Sequence, residues 1–175
     1  MNEHILLDIE VKDFAELAKE VCSHITVPGG ESGRRVIEKL LGSKNKDLRQ
    51  HLDDLASDPI LMPGEGEHAM SVNVFCSDAI ETKELVFVRM KTPIMAFMDS
   101  VVAAQYCLFC FGPVAQEAAC IAEGCAFAAV MSDYNLEVVI KDAIDADDVH
   151  MGFAEHIEDL VVLPHVHMHS SIRKQ

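Results

Sequence analysis

The chain has too few basic side chains to bind nucleic acid or an anionic membrane surface by charge. Its 175 residues include 14 Lys and Arg against 29 Asp and Glu, which gives a formal net charge of −15 at pH 7. Nucleic-acid binding depends on neutralising phosphates with Lys and Arg, and adsorption to anionic lipid needs the same cations. We therefore expect neither as a direct partner, whereas proteins with basic surfaces are permitted.

The sequence also lacks the segments that direct a chain into or across a membrane. No uninterrupted apolar run approaches the roughly 20 residues of a spanning helix. The first residues, MNEHILLDIE, lack the basic start and cleavage site of a secretory signal. Six cysteines without such a signal are expected to be reduced thiols. These absences predict a cytoplasmic protein.

Motifs for nucleotides and for a nucleophilic serine are missing as well. The sequence contains no G-x-x-x-x-G-K-[ST], no G-x-G-x-x-G and no G-x-S-x-G, so P-loop, dinucleotide and nucleophile-elbow enzymes have no support. The cysteine spacings give no paired C-x-x-C zinc site either.

What is present is the patterning of one α/β domain, with an α+β arrangement as the alternative. Half of the residues are hydrophobic and a quarter are charged, which are globular values. We expect a mixed central sheet of about four to five strands flanked by helices, over residues 1–164, and a flexible tail over 165–175. The predicted strands are 4–11, 68–77, 83–90, 105–111 and a short 160–164; the predicted helices are 12–25, 34–43, 46–56, 115–131, 135–143 and 146–157.

Local signals add detail to these elements. Asp13 and Asp145 are placed to cap helices, and Gly42 is placed to end one. The continuous apolar run 105–111 is typical of a strand buried on both faces. Pro93 argues against a central strand position for the residues around it, since proline cannot donate to the ladder.

Cys107 and Cys110 form a C-x-x-C pattern but lie inside the predicted strand 105–111. Residues three apart in a strand project to opposite faces, and the next helix begins only after Gly112-Pro113. This geometry favours core cysteines over a redox pair. Cys120 and Cys125, five apart on a helix, are expected on different faces.

Four histidines, three in the tail and one before a predicted strand, have metal-like or phosphoryl-acceptor character. His165, His167 and His169 alternate and so would share a face of an extended chain, but no acidic or thiol ligand is near them in sequence. We interpret them as a tail that binds metal adventitiously. His68 ends a glycine-rich loop before a predicted strand, where an exposed imidazole could accept a phosphoryl group.

Acidic residues crowd the region from residue 137 to residue 159. They are spread over helix faces, which is typical of a solvated surface, and their D-x-D-D fragment lacks the glycine and glutamate of a calcium loop. The alternative is a docking surface for basic partner segments. The residues concerned are Asp142, Asp145, Asp147, Asp148, Glu155 and Glu158.

Three stretches resemble the cytoplasmic domain of the bicarbonate transporter (anion exchanger, band 3) family. They are QYCLFCFGP, AAVMSDYNLEVVIKDAIDADD and GFAEHIEDLVVLP, in which Gly112-Pro113, Met131-Ser132-Asp133 and Val162-Leu163-Pro164 have compatible separations. The resemblance implies a non-catalytic regulatory domain at the inner face of a membrane, attached to its transport domain or free-standing. It further implies no catalytic turnover and no cofactor, together with docking of cytosolic or cytoskeletal proteins, and it leaves a weak homodimer open.

A more distant resemblance is to enzyme IIA of the fructose and mannitol phosphotransferase systems, which has the same fold. In that family a loop histidine that follows a proline carries a phosphoryl group. Here Pro63 and His68 are separated, so the Pro-His motif is absent. This resemblance implies the alternative function, a phosphohistidine carrier that uses His68.

Overall fold

A computed structural model of the chain describes residues 2–42, 69–94 and 103–159. The predicted helix 46–56, the strand 160–164, His68 and the tail histidines lie outside these ranges. Within them the sheet order is β1-β3-β4-β2, with β3 and β4 antiparallel and the two outer pairs parallel. The prediction of a mixed sheet flanked by helices is confirmed. The elements are β1 (Asn2–Ile9), α1 (Phe14–His24), α2 (31–42), β2 (Ala69–Cys76), β3 (Glu84–Ile94), β4 (Ala104–Gly112), a 3-10 turn (Val114–Gln116), α3 (Glu117–Met131), α4 (Tyr134–Asp142) and α5 (Ala146–Asp159).

The helices cover the two faces of the sheet and create two cores. Helices α1 and α2 pack on one face, in a core that includes Leu17, Ile37 and Cys107. Helices α3, α4 and α5 pack on the other, in a core that includes Cys110 and Ile140. Strand β4 is buried along nearly its whole length, as its apolar sequence predicts.

Strand β3 continues through Pro93, although the sequence argues against a central strand there. The register with β4 becomes irregular between Arg89 and Ile94, and the last pair with β1 is Ile9 with Met90. Pro93 therefore lies beyond the β1 ladder, where its missing N–H leaves no strand partner unsatisfied. Pro93 is thus kept away from the paired residues of β1, as expected for proline, but it does not end the strand.

Side-chain caps fix the helix ends where the sequence predicts them. Asp13 accepts a hydrogen bond from the Glu16 amide at 3.0 Å at the start of α1. Asp145 accepts one from the Asp148 amide at 3.0 Å at the start of α5. Both satisfy amide groups that the first turn of a helix cannot pair.

A buried arginine joins α4 to the sheet. Arg89 in β3 is 5% exposed, and its Nε and Nη2 donate to the two oxygens of Asp8 at 3.1 and 3.0 Å. Its Nη1 donates to three carbonyl oxygens at the end of α4, at 2.7 to 3.0 Å: those of Ile140, Lys141 and Ala143. The cation thus satisfies acceptors that the last helical turn leaves unpaired.

Helix α3 lies close against β2. A β-carbon placed on Gly124 would be 2.7 Å from Cγ1 of Val72, so only glycine permits this approach. Among the described residues, the stretch Val114–Met131 is the one helix with the length and composition to cross a membrane. Glu117 and Glu123 interrupt its apolar sequence, and Gly124 makes it part of the packed domain.

Candidate functional site

A groove of about 690 Å³ lies between α1 and α2. We call it the α1–α2 groove. Its apolar lining includes Ala18 and Cys22, which are buried in the core below. The charged lining residues are more exposed and form its walls: Lys19, Glu31, Arg34, Arg35, Glu38 and Lys39.

The pattern of α2 places these charges at the groove. Ile37 and Leu41, four residues apart, are buried against the sheet, which orients the intervening polar residues away from the core. Of the lining residues that the structure describes, four are basic and two are acidic. These residues together carry a net charge of +2 in a protein of net charge −15.

The cations of the groove differ in how firmly they are held. Arg34 donates from Nε to the carbonyl oxygen of Ile25 at 3.1 Å, which orients its guanidinium group. Arg35 makes a surface ion pair with Glu31 at 3.5 Å. Lys19 and Lys39 form no ion pair with any carboxylate of the described residues, so their ammonium groups are available to a ligand.

The thiol at the base of the groove is chemically inert. Burial, together with the Glu38 carboxylate, raises the pKa of Cys22 to about 12, although Arg34 opposes the shift. The thiolate is the nucleophilic form of cysteine, and at neutral pH this group stays protonated. The groove therefore has no nucleophile at Cys22.

The C-x-x-C pair is divided between the two cores, as its position in a strand predicts. Cys107 lies in the core under α1 and α2, and Cys110 lies in the core under α3 to α5. Burial raises the pKa of both thiols, to about 12 for Cys110. The prediction of opposite faces is also confirmed for Cys120, which is buried, and Cys125, which is exposed.

These differences in exposure predict that one thiol of six reacts fastest in the folded protein. At pH 8 we expect Ellman's reagent to modify Cys125 first, because it is the exposed thiol, whereas Cys76 is half-buried and the other four are buried. Cys125→Ser should remove the fast phase, and Cys107→Ser should leave it unchanged. A fast phase that persists in Cys125→Ser would contradict this assignment.

The sequence analysis did not predict that Glu84 would be a buried carboxylate with two histidines nearby. Both oxygens of Glu84 accept the Thr26 amide at 3.1 Å, and its Oε2 lies 3.5 Å from Nε2 of His4. The rings of His4 and His24 are 6.1 Å apart. Because these residues are distant in sequence, no local signal brings them together. Within the described ranges no three His, Cys, Asp or Glu side chains form a metal site. The Glu84 hydrogen bond joins β3 to the segment just after α1.

The predicted acidic docking residues occupy α4, α5 and the turn between them. Asp145 and Asp148 are partly used within the fold, since Asp148 Oδ2 accepts the Ile144 amide at 2.8 Å. The other four residues are exposed: Asp142, Asp147, Glu155 and Glu158. A docking role for this surface remains a prediction.

The predicted histidine sites lie outside the described residues. His68 immediately precedes Ala69, at which β2 begins, and Ala69 pairs with Ala104 at the start of β4. His165, His167 and His169 follow α5 in the sequence. Phosphoryl acceptance by His68 and metal binding by the tail therefore stay predictions.

The fold has a counterpart among solved structures, although sequence comparison finds no relative. No family model matches the chain, and no curated protein matches it. It is similar to the crystal structure of nitrogen regulatory protein IIA-Ntr from Neisseria meningitidis, with a TM-score of 0.57 and 13% identity. The match covers 85% of this chain and 92% of that chain. The predicted enzyme IIA-like fold is confirmed.

The assignment to the anion exchanger family is wrong. The structural match is to a nitrogen regulatory protein, and nothing connects this chain to bicarbonate transport. The residues that carry the resemblance have local structural roles. Asp133 caps α4 by accepting the Asn135 amide at 2.8 Å, and a β-carbon on Gly112 would lie 2.8 Å from Sγ of Cys120.

Proposed function

We propose that the protein is a cytoplasmic regulatory domain of the enzyme IIA kind, which accepts a phosphoryl group on His68. The observation that carries the proposal is the similarity of fold to IIA-Ntr over 85% of the chain. The sequence adds a histidine immediately before β2. Regulation would then depend on whether His68 carries the phosphoryl group.

The reaction is a transfer between two imidazoles. A neutral ring nitrogen of His68 attacks the phosphorus of a phosphohistidine donor, a new P–N bond forms, and the donor imidazole leaves with the electrons of the broken bond. An ordinary histidine has a pKa of about 6.5, so most of it is neutral at pH 7.5. No metal or oxidant is consumed.

The histidines of the described residues are less suited to this role. Three of them have a glutamate oxygen near the imidazole, with which a neutral acceptor nitrogen would have to compete: His4 at 3.5 Å, His24 at 3.4 Å and His150 at 3.8 Å. The fourth, His156, is half-buried on α5. Each is nevertheless a useful control for His68.

The test is phosphorylation by a relay of phosphohistidine donor proteins fed with phosphoenolpyruvate. We expect one acid-labile phosphoryl group per chain in the wild type, full labelling of His156→Ala and no label on His68→Ala. Circular dichroism would verify that each variant is folded. Label that survives in His68→Ala would reject the proposed acceptor, and an unlabelled wild type would identify a regulatory domain that acts by binding alone.

A further inference from the structure

We propose that the α1–α2 groove binds a small organic anion, a phosphate monoester or a carboxylate attached to an apolar group. This inference is independent of phosphorylation at His68. It assigns a ligand to the groove that neither the sequence motifs nor the structural similarity assigns.

The dimensions and lining of the groove fit a small molecule. Its volume of about 690 Å³ lies within the range of roughly 300–1,000 Å³ that is typical of small-molecule sites. Ala18 and Cys22 give it a buried apolar base, while the more exposed charged groups lie around that base. A ligand with an apolar body and one anionic group matches this division.

The charge of the groove selects an anion. The described lining residues have a net charge of +2, whereas the rest of the chain has 10 basic against 27 acidic side chains. Within the described structure, neither the Lys19 nor the Lys39 ammonium group forms an ion pair with a carboxylate, although the chain is rich in acidic residues. Concentrated cations of this kind attract an anion and raise its local concentration.

Arg34 supplies a donor that is already oriented. Its Nε is bound to the Ile25 carbonyl oxygen, so the guanidinium plane is fixed while the terminal amino groups can donate to a ligand. Charge-assisted hydrogen bonds from arginine to phosphate or carboxylate are stronger than neutral ones. Arg34 would orient the anionic group, and Lys19 and Lys39 would add attraction.

The test is to titrate the isotope-labelled protein with three probes and to monitor binding through the chemical shifts of its amide groups. Phenyl phosphate and benzoate carry the two anionic groups on a similar apolar body, and benzyl alcohol is the uncharged control. We expect saturable shifts in α1 and α2 with one or both anions, and none with the alcohol. The ratio of the two dissociation constants identifies the preferred group.

Matched double variants separate the groove from net charge. Lys19→Gln/Lys39→Gln should raise the Kd of the preferred anion about tenfold. Lys91→Gln/Lys141→Gln removes the same two charges from other surfaces and should change it less than about twofold. Equal weakening by both variants, or shifts that do not saturate or lie outside α1 and α2, would overturn the proposal.

His68→Ala distinguishes this site from the proposed phosphoryl acceptor. We expect it to bind the anion with the wild-type Kd. A loss of binding in His68→Ala, with Lys19→Gln/Lys39→Gln unaffected, would place the anion site at the histidine and reject the groove. Failure of phosphorylation would leave the binding result unchanged.

Discussion

Replacing Arg89 with methionine is expected to lower the free energy of unfolding by about 3 kcal/mol. Methionine keeps much of the apolar stem but removes all five hydrogen bonds of the guanidinium group. Two of the orphaned carbonyl acceptors, those of Ile140 and Ala143, take part in buried hydrogen bonds. The Asp8 side chain is 63% exposed, so water can hydrate its carboxylate when the guanidinium group is removed. The unpaired carbonyl oxygens therefore account for most of the lost stability.

Urea denaturation measures this effect against two further variants. Arg35→Met removes an exposed cation whose ion pair with Glu31 lies at the surface, and we expect a change below about 0.5 kcal/mol. Arg89→Lys keeps the charge but lacks the planar fork, so its stability should be intermediate. If Arg89→Met were no less stable than Arg35→Met, the bonds to α4 would contribute nothing.

Replacing Gly124 with valine is expected to lower the free energy of unfolding by about 2 to 3 kcal/mol. The first added carbon already falls 2.7 Å from Cγ1 of Val72 and 3.6 Å from Cγ2 of Val74. Both neighbours are β-branched residues with stiff side chains. Helix α3 must therefore move away from β2, and its contacts with the sheet weaken.

The control for this substitution lies two residues away. Ala126 is exposed on the same helix, so Ala126→Val introduces the same side chain without the clash and should cost less than about 1 kcal/mol. Adding Val72→Ala to Gly124→Val should recover part of the loss, because neighbouring substitutions are not additive. Equal destabilisation by the two valine substitutions would show that helix propensity, rather than close packing, is responsible.

Much of the fold could be predicted because its determinants are local. The apolar run in β4 predicts a strand covered on both faces, and the three-residue spacing of Cys107 and Cys110 predicts their separation between two cores. Asp13 and Asp145 cap helices through amides only three residues away. Each of these inferences needs only chain geometry over a few residues.

The candidate site could not be predicted in the same way. Lys19 and Lys39 line the same groove because α1 and α2 pack side by side. That arrangement is set by the sheet beneath the two helices. A signal was available, since Arg34 and Arg35 are adjacent basic residues in a strongly acidic chain. For Glu84 the sequence contains no comparable signal, because its hydrogen-bond partner Thr26 is 58 residues away in the chain.

The order of the strands has a consequence for the newly made chain. Strand β1 is synthesised first, but its partner residues begin at Glu84, which pairs with Asn2. Until the ribosome has released β3, the apolar side chains of Ile5, Leu6 and Leu7 have no sheet to join. Strand β1 therefore cannot complete its pairing until β3, which ends at Ile94, has been synthesised. Apolar surface and an unpaired strand edge exposed in this way favour aggregation during folding.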